Sequence, residues 1–526
     1  MTDQRDSSSL RGPVRAAIGL LAVAAALAVG HLLAAITGPN SSPYLAVGNT
    51  AIDLTPEPVK AFAIQQFGTA DKIALLIGMG LVIVVLALVA GLLSRHGPLP
   101  GAVVFGVFGA VGIAAALARP DLRLAGSLPA VVAALTGVAV FTGLHRLASR
   151  DAADDGSERS GGAGPDGGAT PGSSRRRFLV SSGAVALTAG VAGAGGQVLV
   201  RRSPVEAARQ DLRNLAPVQP AQPIPAGADF ASSGTPSFIT PNADFYRIDT
   251  ALSVPQVGVD DWTLRVHGMV DRELVLSFGE MLRRRRVERT ITLCCVSNEV
   301  GGNLISNATF VGVPIRDVLL EAGVRPGAQQ VLSTSVDGFT AGTPVDVLLQ
   351  PDRDALLAFG MNGQPLPAEH GFPVRMVTPG LYGFVSATKW VTDLELTTFD
   401  RQAYWQERGW AQQAPIKTQS RIDRPRPFSK SPAGRTTAAG IAWAQHTGID
   451  RVEVRVDGGP WQTAQLSTEV NADTWRMWRA ELDLPPGGHT LECRATDRRG
   501  RTQPPQRTPT IPDGATGWHS IFHTAT

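Results

Sequence analysis

Met361-Asn362-Gly363-Gln364-Pro365-Leu366-Pro367-Ala368-Glu369-His370-Gly371-Phe372-Pro373-Val374-Arg375 is the most informative stretch of this chain. An Asn-Gly-Gln-Pro-Leu-Pro turn leads into a second rigid turn that carries His370 and Arg375. Lys389 follows, so cationic donors converge on a site suited to an anion such as a phosphate. Upstream, Thr290–Gly302 (TITLCCVSNEVGG) reads as a strand running into a glycine-bearing loop, with Cys294 and Cys295 at the strand end. A cysteine there, beside backbone amides, is placed to be a thiolate ligand, and soft thiolates suit transition metals. An inert buried cysteine and a solvated charged loop fit the same spacings. Spacing alone leaves both readings open.

Outward from this centre, 526 residues are too many for one domain. Lys+Arg 48 against Asp+Glu 45 gives a net +3, too balanced for a nucleic-acid binder held by charge. Three cysteines, two of them adjacent, exclude a disulfide scaffold, and no CxxC, CxxCH or zinc-type spacing occurs. Cys493 alternates with Leu491 and Ala495 on the apolar side of a strand and reads as core. The mean hydropathy of +0.05 averages two unlike halves.

Residues 1–150 read as a four-helix membrane region. Ala16–Ile36 and Ile73–Leu93 are each 21 residues without a formal charge, enough to cross a hydrocarbon core of about 30 Å. Gly101–Leu117 and Leu128–Leu144 are shorter and borrow flanking apolar positions. Residues 178–200 form a fifth, Gly/Ala-rich span. Arg5, Arg11, Arg15, Arg95, Arg146, Arg150, Arg159 and Arg175–Arg177 fall on one side; Lys60, Lys72, Arg119 and Arg123 fall on the other. That bias places the N-terminus inside, and five crossings place everything after residue 200 on the extracytoplasmic side of the cytoplasmic membrane. His31 and His145 lie at different depths and do not make the facing pair a b-type haem needs.

Residues 151–177 read as a cytoplasmic Gly/Ser/Arg linker. The linker ends in Ser174-Arg175-Arg176-Arg177-Phe178-Leu179, which resembles the twin-arginine signal for export of folded, often cofactor-bearing proteins. Residues 201–236 are Pro-, Ala- and Gln-rich and read as a tether; 237–415 mix short strands and helices; 416–513 alternate in short strands broken by turns. The last pattern predicts an immunoglobulin-like β-sandwich. The expected fold is therefore multi-domain: a transmembrane helical bundle, an α+β domain and a β-sandwich. Trp443, Trp461, Trp475 and Trp478 exceed what one small sandwich core needs, which points to a homodimer.

The region from Ser237 onward resembles the sulfite oxidase family of molybdenum enzymes. The resemblance rests on Thr240-Pro241-Asn242-Ala243-Asp244-Phe245-Tyr246-Arg247, on Leu293–Asn298, on the 361–375 stretch and on Lys389-Trp390. Gly440-Ile441-Ala442-Trp443 and Val456–Trp461 likewise resemble the family's dimerisation domain. The resemblance implies a single molybdenum-molybdopterin without a nucleotide, with Cys295 as the metal ligand and Cys294 a bystander. It implies cofactor contacts at Asn242, Phe245, Arg247, Asn298, His370, Arg375 and Lys389. Asp337 and Ser386 are weaker placements, because the loop from Gly383 to Lys389 is one residue longer than in animal and plant members.

Sulfite oxidases carry an arginine five residues after the ligand cysteine; here that position is Val300, with Glu299 before it. A carboxylate beside the pocket would repel an anionic substrate unless it points away, and Arg247 remains a candidate positive charge near the metal. The implied activity is two-electron oxo transfer on a small or protein-bound S- or N-oxide or a sulfite-type substrate, with electrons handled by a separate partner. Sulfite oxidation proper is one alternative. A catalytically dead membrane scaffold is the other.

Overall fold

A computed structural model describes residues 10–56, 71–119, 124–160, 173–201, 204–212 and 215–526, with Val59, Phe62 and Leu122 between them. Arg5, Lys60, Arg123 and residues 161–172 of the expected linker lie outside the described residues, as do the side chains of Arg159 and Arg175–Arg177. The chain divides into two compact units: Met1–Ser203 with Ala251–Gln256, and Pro204–Thr250 with Val257–Thr526.

The first unit is helical: α1 (Gly12–Thr37), α2 (Pro43–Leu54), α3 (Asp71–Leu93), α4 (Leu99–Leu117), α5 (Leu128–Ser160) and α6 (Ser173–Arg201). Among the described residues, four helical stretches are long and apolar enough to cross a membrane: Gly12–Thr37, Lys72–Leu93, Leu99–Leu117 and Leu124–Arg150. The apolar part of α6, Leu179–Gly195, is shorter than these. α5 continues as helix to Ser160, past the expected start of the linker at Asp151.

Close backbone approach holds α1 against α3. A Cβ on Gly19 would sit 2.0 Å from the Ala87 carbonyl oxygen, and one on Gly91 would sit 2.1 Å from that of Arg15. Small residues at such crossings bring two apolar helices into van der Waals contact where the hydrophobic effect between them is weak. Ile77, Leu81 and Val85 of α3 are exposed, as a lipid-facing stripe requires. His145 Nε2 lies 2.8 Å from the Ser94 carbonyl oxygen, so this ring nitrogen is already engaged within the bundle.

The second unit begins earlier than its sequence suggests. The expected tether contains α7 (Pro204–Asp211), whose Val205 is buried beside Phe245, Leu293 and Phe310. Arg209 Nε donates to the Leu366 carbonyl at 3.0 Å. Val205, Ala208 and Leu212 fall at i, i+3 and i+7, an apolar stripe that the Pro/Ala/Gln-rich average conceals.

Two sheets follow, the first mixed and the second antiparallel. One runs β2–β1–β10–β5–β6, with β1 (Thr263–Gly268), β2 (Leu274–Ser277), β5 (Gln330–Ser335), β6 (Thr340–Pro344) and β10 (Val391–Thr397). The other runs β3–β4–β7–β8, with β3 (Val287–Cys294), β4 (Ile305–Pro314), β7 (Leu356–Met361) and β8 (Gln364–Pro365), and with β9 (Arg375–Val377) paired to β7. Leu264, Val266 and Leu394 of the first meet Val313, Leu357 and Phe359 of the second in one core. Ser277 caps the short helix α8 (Phe278–Arg283) in a capping box with Glu280. Helix α9 (Ile315–Ala322) buries Ile315, Val318, Leu319 and Ala322 at helical spacing and ends at Gly323. Val313 and Pro314, just before it, belong to β4.

The C-terminal part is β-rich. β11 (Gln419–Arg424), β13 (Gly434–Trp443), β17 (Arg476–Leu484) and β16 (Gln465–Leu466) form one sheet. β12 (Lys430–Ser431), β19 (His519–Ala525), β18 (Gly487–Asp497), β14 (Ile449–Val456) and β15 (Gln462–Thr463) form the second. Trp478 and Leu482 from one share a core with Val452, Leu491 and Cys493 from the other. β19 lies beyond the expected boundary at 513. Trp443, Trp475 and Trp478 are each at most 2% exposed within a single chain, so these rings offer no surface to a second copy.

Candidate functional site

The cysteine pair sits at the end of β3, an edge strand whose outer side is covered by chain from elsewhere. Val218 N donates to Arg286 O and Glu288 N to Gln219 O near its start. Further along, Thr292 N donates to Asp473 O, Trp475 N to Thr292 Oγ1, Gln445 Nε2 to Thr292 O, and Asn471 Nδ2 to Thr290 O. These bonds satisfy an edge that would otherwise stand open.

Beyond the strand, Cys295 N donates to Leu304 O at 2.9 Å and Asn298 N to Cys295 O at 3.0 Å. Asn298 Oδ1 accepts from Leu304 N at 2.8 Å. Arg421 Nη1 holds the Gly302 carbonyl at 2.6 Å. Gly301 adopts φ +82, and a Cβ there would meet the His519 ring at 2.3 Å. The loop is pinned at both ends, and its two cysteines part company. Cys295 lines a cavity, whereas Cys294 is packed in the apolar cluster of Phe238, Val296 and Trp475.

The 361–375 stretch adds His370 and Arg375 to the wall. Asn362 and Gly363 take φ +51 and +74, the two positive values of a tight hairpin turn between β7 and β8. Asn362 Nδ2 then donates to Thr240 O at 3.0 Å and to Asn242 Oδ1 at 2.8 Å, tying the entry loop to the hairpin. Gly371, at φ +112, allows a close approach that a side chain would block. Its Cβ would lie 2.9 Å from Arg375 Cβ and 3.1 Å from Lys389 Cα.

His370, Arg375, Lys389, Phe245 and Asp337 line the same cavity as Cys295. Asn242, Arg247, Asn298 and Ser386 do not form its wall. Asn242 is occupied by Asn362, Asn298 braces the cysteine loop, and Ser386 Oγ donates to the Tyr382 carbonyl at 2.9 Å. Arg247 is exposed, and its Nε is 2.9 Å from Asp249. Glu299 is exposed and outside the wall, so it does not confront a substrate; Val300 is half-buried and outside it too. Tyr246, Asp249 and Ser335 are among the wall residues that the sequence did not assign to the site. The first two adjoin Arg247, and Ser335 precedes the turn that carries Asp337, but none stands in a recognisable spacing.

Burial sets the electrostatics. Arg375 is 5% exposed, and among the described residues its guanidinium donates only to carbonyl oxygens: His370 at 3.2 Å, Met376 at 3.3 Å and Ala387 at 3.5 Å. Burial draws its pKa down to about 10. Lys389 Nζ bonds Asp249 at 2.8 Å and lies 4.5 Å from the Trp390 ring centroid. Burial nonetheless draws it down to about 8, against the pull of Asp249. His370 falls to about 4, first through burial and then through Arg375, so the ring is neutral near pH 7. Its Nε2 faces the Asn242 carbonyl at 3.1 Å, which assigns the proton to that nitrogen. Burial raises the Cys295 thiol, partly offset by hydrogen bonding from Ser297.

A profile of the oxidoreductase molybdopterin binding domain matches residues 251–405. Sulfite oxidase of Gallus gallus is 32% identical over 319 residues, which cover 51% of this chain and 68% of that protein. The chain belongs to the sulfite oxidase family of molybdopterin-dependent oxidoreductases. Mitochondrial sulfite oxidase of Homo sapiens is 31% identical over 318 residues, 51% of this chain. That match spans 58% of the human enzyme's length. The uncharacterized oxidoreductase YuiH of Bacillus subtilis is 35% identical over 149 residues, 28% of this chain and 72% of that protein.

The cofactor of a sulfite oxidase family member is molybdenum-molybdopterin, and the residues present fit it. Arg375 is a buried cation with no carboxylate within ion-pair distance among the described residues, as a site for a phosphate demands. Ser335, in the cavity wall, has a buried Oγ without a hydrogen-bond partner among the described residues. Among the described residues no group of three His, Cys, Asp or Glu side chains is placed to hold a metal ion. A single protein thiolate with the remaining sulfur supplied by the cofactor suits that inventory.

Proposed function

We propose that the chain is a membrane-anchored molybdenum-cofactor oxidoreductase that transfers one oxygen atom to or from a small or protein-bound substrate at sulfur or nitrogen. The observation that carries this reading is the pairing, in one cavity, of Cys295 with the buried and carboxylate-free Arg375. Cys295 would hold the metal; Arg375 and Lys389 would neutralise the cofactor's phosphate; Phe245, His370 and Asp337 would border its ring system. Asn242 and Asn298 would act through the entry and cysteine loops they brace, Ser386 through the Tyr382–Lys389 loop, and Arg247 through Asp249. When bound, the group supplies a metal that passes between two oxidation states as one oxygen moves. In the reducing direction a sulfoxide takes up two electrons and two protons and yields a thioether and water; oxidation is the reverse. A separate one-electron carrier completes the cycle.

Val300 in place of the expected arginine supports an oxide substrate over sulfite, and the retained Cys295, His370, Arg375 and Lys389 support an enzyme over a scaffold. The helices of residues 1–150, with α6 as a fifth crossing, would anchor the protein in the cytoplasmic membrane. The twin-arginine-like motif would deliver residues 201–526 already folded to the outer side. We read 237–415 as the cofactor domain and the C-terminal sheets as an immunoglobulin-like dimerisation domain. The test is metal content together with the optical or EPR response of the molybdenum centre to sulfite and to S- and N-oxides. About one molybdenum per chain, reoxidised by an oxide, supports the reading; metal-free protein refutes it.

A further inference from the structure

Two clusters of different chemistry contribute to the cavity wall. One is polar and holds Cys295, His370, Arg375 and Lys389. The other is aromatic: Phe339, Phe384, Trp405 and Trp410. Trp410 packs 5.7 Å from Phe384 and 5.9 Å from Trp405, centroid to centroid. Tyr404 lies 5.1 Å from Trp405 and 5.8 Å from Phe339, and Arg408 covers its ring at 3.6 Å. Rings braced in this way are held before anything binds, which lowers the entropy a ligand must overcome.

The charge of the wall points to what this face receives. The charged wall residues are Asp249, Asp337, Arg375 and Lys389, two of each sign. With Lys389 engaged by Asp249, and Arg375 given to the cofactor's phosphate, no surplus positive charge is left for a dianion.

We propose that Phe339, Phe384, Trp405 and Trp410 form the substrate-recognition face, and that it selects uncharged S- or N-oxides bearing an aryl or alkyl group over sulfite. The proposal rests on the oxo-transfer reading of the Cys295 cavity and names the substrate class for it. An aryl group beside sulfur gains ring–ring contact, and the sulfur itself is favoured at aromatic edges. In the reducing direction the S–O bond breaks, sulfur keeps a new lone pair, and oxygen leaves as water with two protons; two equivalents of a reduced one-electron carrier supply the two electrons.

Calorimetric titration of the full-length protein in detergent tests this with methyl phenyl sulfoxide, dimethyl sulfoxide and sulfite as probes. Methyl phenyl sulfoxide should bind the wild type at least tenfold more tightly than either of the others. Trp405→Leu and Trp410→Leu should each weaken it about tenfold, a change of about 1.4 kcal/mol, with molybdenum content unchanged. Sulfite binding more tightly than the aryl sulfoxide would overturn the proposal. So would equal affinity for the two sulfoxides in the wild type, a comparison that needs no variant to fold. Molybdenum content, measured on the same samples, scores the oxo-transfer reading separately.

Discussion

Replacing Arg375 by Met separates a ligand site from a structural ion pair. The fall of the Arg375 pKa from its ordinary value to about 10, at about 1.4 kcal/mol per pH unit, means that burying its charge costs the cofactor-free protein about 3 kcal/mol. The sign follows from the direction. A cation with a depressed folded pKa destabilises in full below about pH 10 and stops doing so as the pH rises toward the group's ordinary pKa. At pH 7 Arg375→Met therefore removes the whole of that cost. It also removes three hydrogen bonds to carbonyls, at 3.2, 3.3 and 3.5 Å, each worth about 0.5–1.5 kcal/mol. The two nearly cancel, so cofactor-free Arg375→Met should unfold in denaturant within about 1–2 kcal/mol of cofactor-free wild type. Removing one partner of a buried ion pair would instead cost about 3–5 kcal/mol. Cofactor retention, read as molybdenum and phosphorus per chain, should fall at least tenfold. A variant that is strongly destabilised yet keeps its cofactor would show that the guanidinium serves the fold and not the phosphate.

Cys295→Ser should abolish activity in folded protein, because a serine oxygen is a harder ligand than thiolate. Cys294→Ser, outside the cavity, should keep most of it, and equal loss in both would show the register is wrong. Gly301→Ala forces a side chain onto the His519 ring at φ +82 and should destabilise the folded protein by about 1–3 kcal/mol, read as a lowered unfolding midpoint. The Lys389 ammonium, drawn down to about 8 by burial, loses its charge above that pH in cofactor-free protein. Phosphate affinity by calorimetry should therefore fall roughly tenfold from pH 7 to pH 9.5, by the worth of one charge-assisted hydrogen bond. Over the same range, up to about 10.5, relief of the buried charge adds to stability. Changing Arg175, Arg176 and Arg177 together to Lys should leave residues 201–526 protected from protease added to spheroplasts; digestion as in wild type would reduce the run to a topology signal.

The sequence was legible where chemistry is local. Cys295, His370, Arg375 and Lys389 sit in or beside turns that Gly and Pro residues shape, and all four reach one cavity. It was less legible where direction matters. Asn242 and Ser386 lie in the right loops, yet their polar atoms are taken by Asn362 and by the Tyr382 carbonyl. The aromatic face was not legible at all, since Phe339, Phe384, Trp405 and Trp410 share no spacing and meet only through tertiary packing. Composition misled twice. Prolines and glutamines hid the amphipathic turn of α7, and the tryptophan count implied an interface where three of the four rings fill the chain's own interior.

The covered edge of β3 carries a consequence in time. Trp475, which bonds Thr292 on that edge, is made 183 residues later. At about 5–20 residues per second the ribosome needs roughly 10–40 s to close that gap. Until then a strand rich in Thr, Ile and Leu, ending at the cysteines, presents unpaired amides to any neighbour. A chaperone that waits on this strand, or a pause that lengthens the interval, would govern yield more than any change in the finished protein's stability.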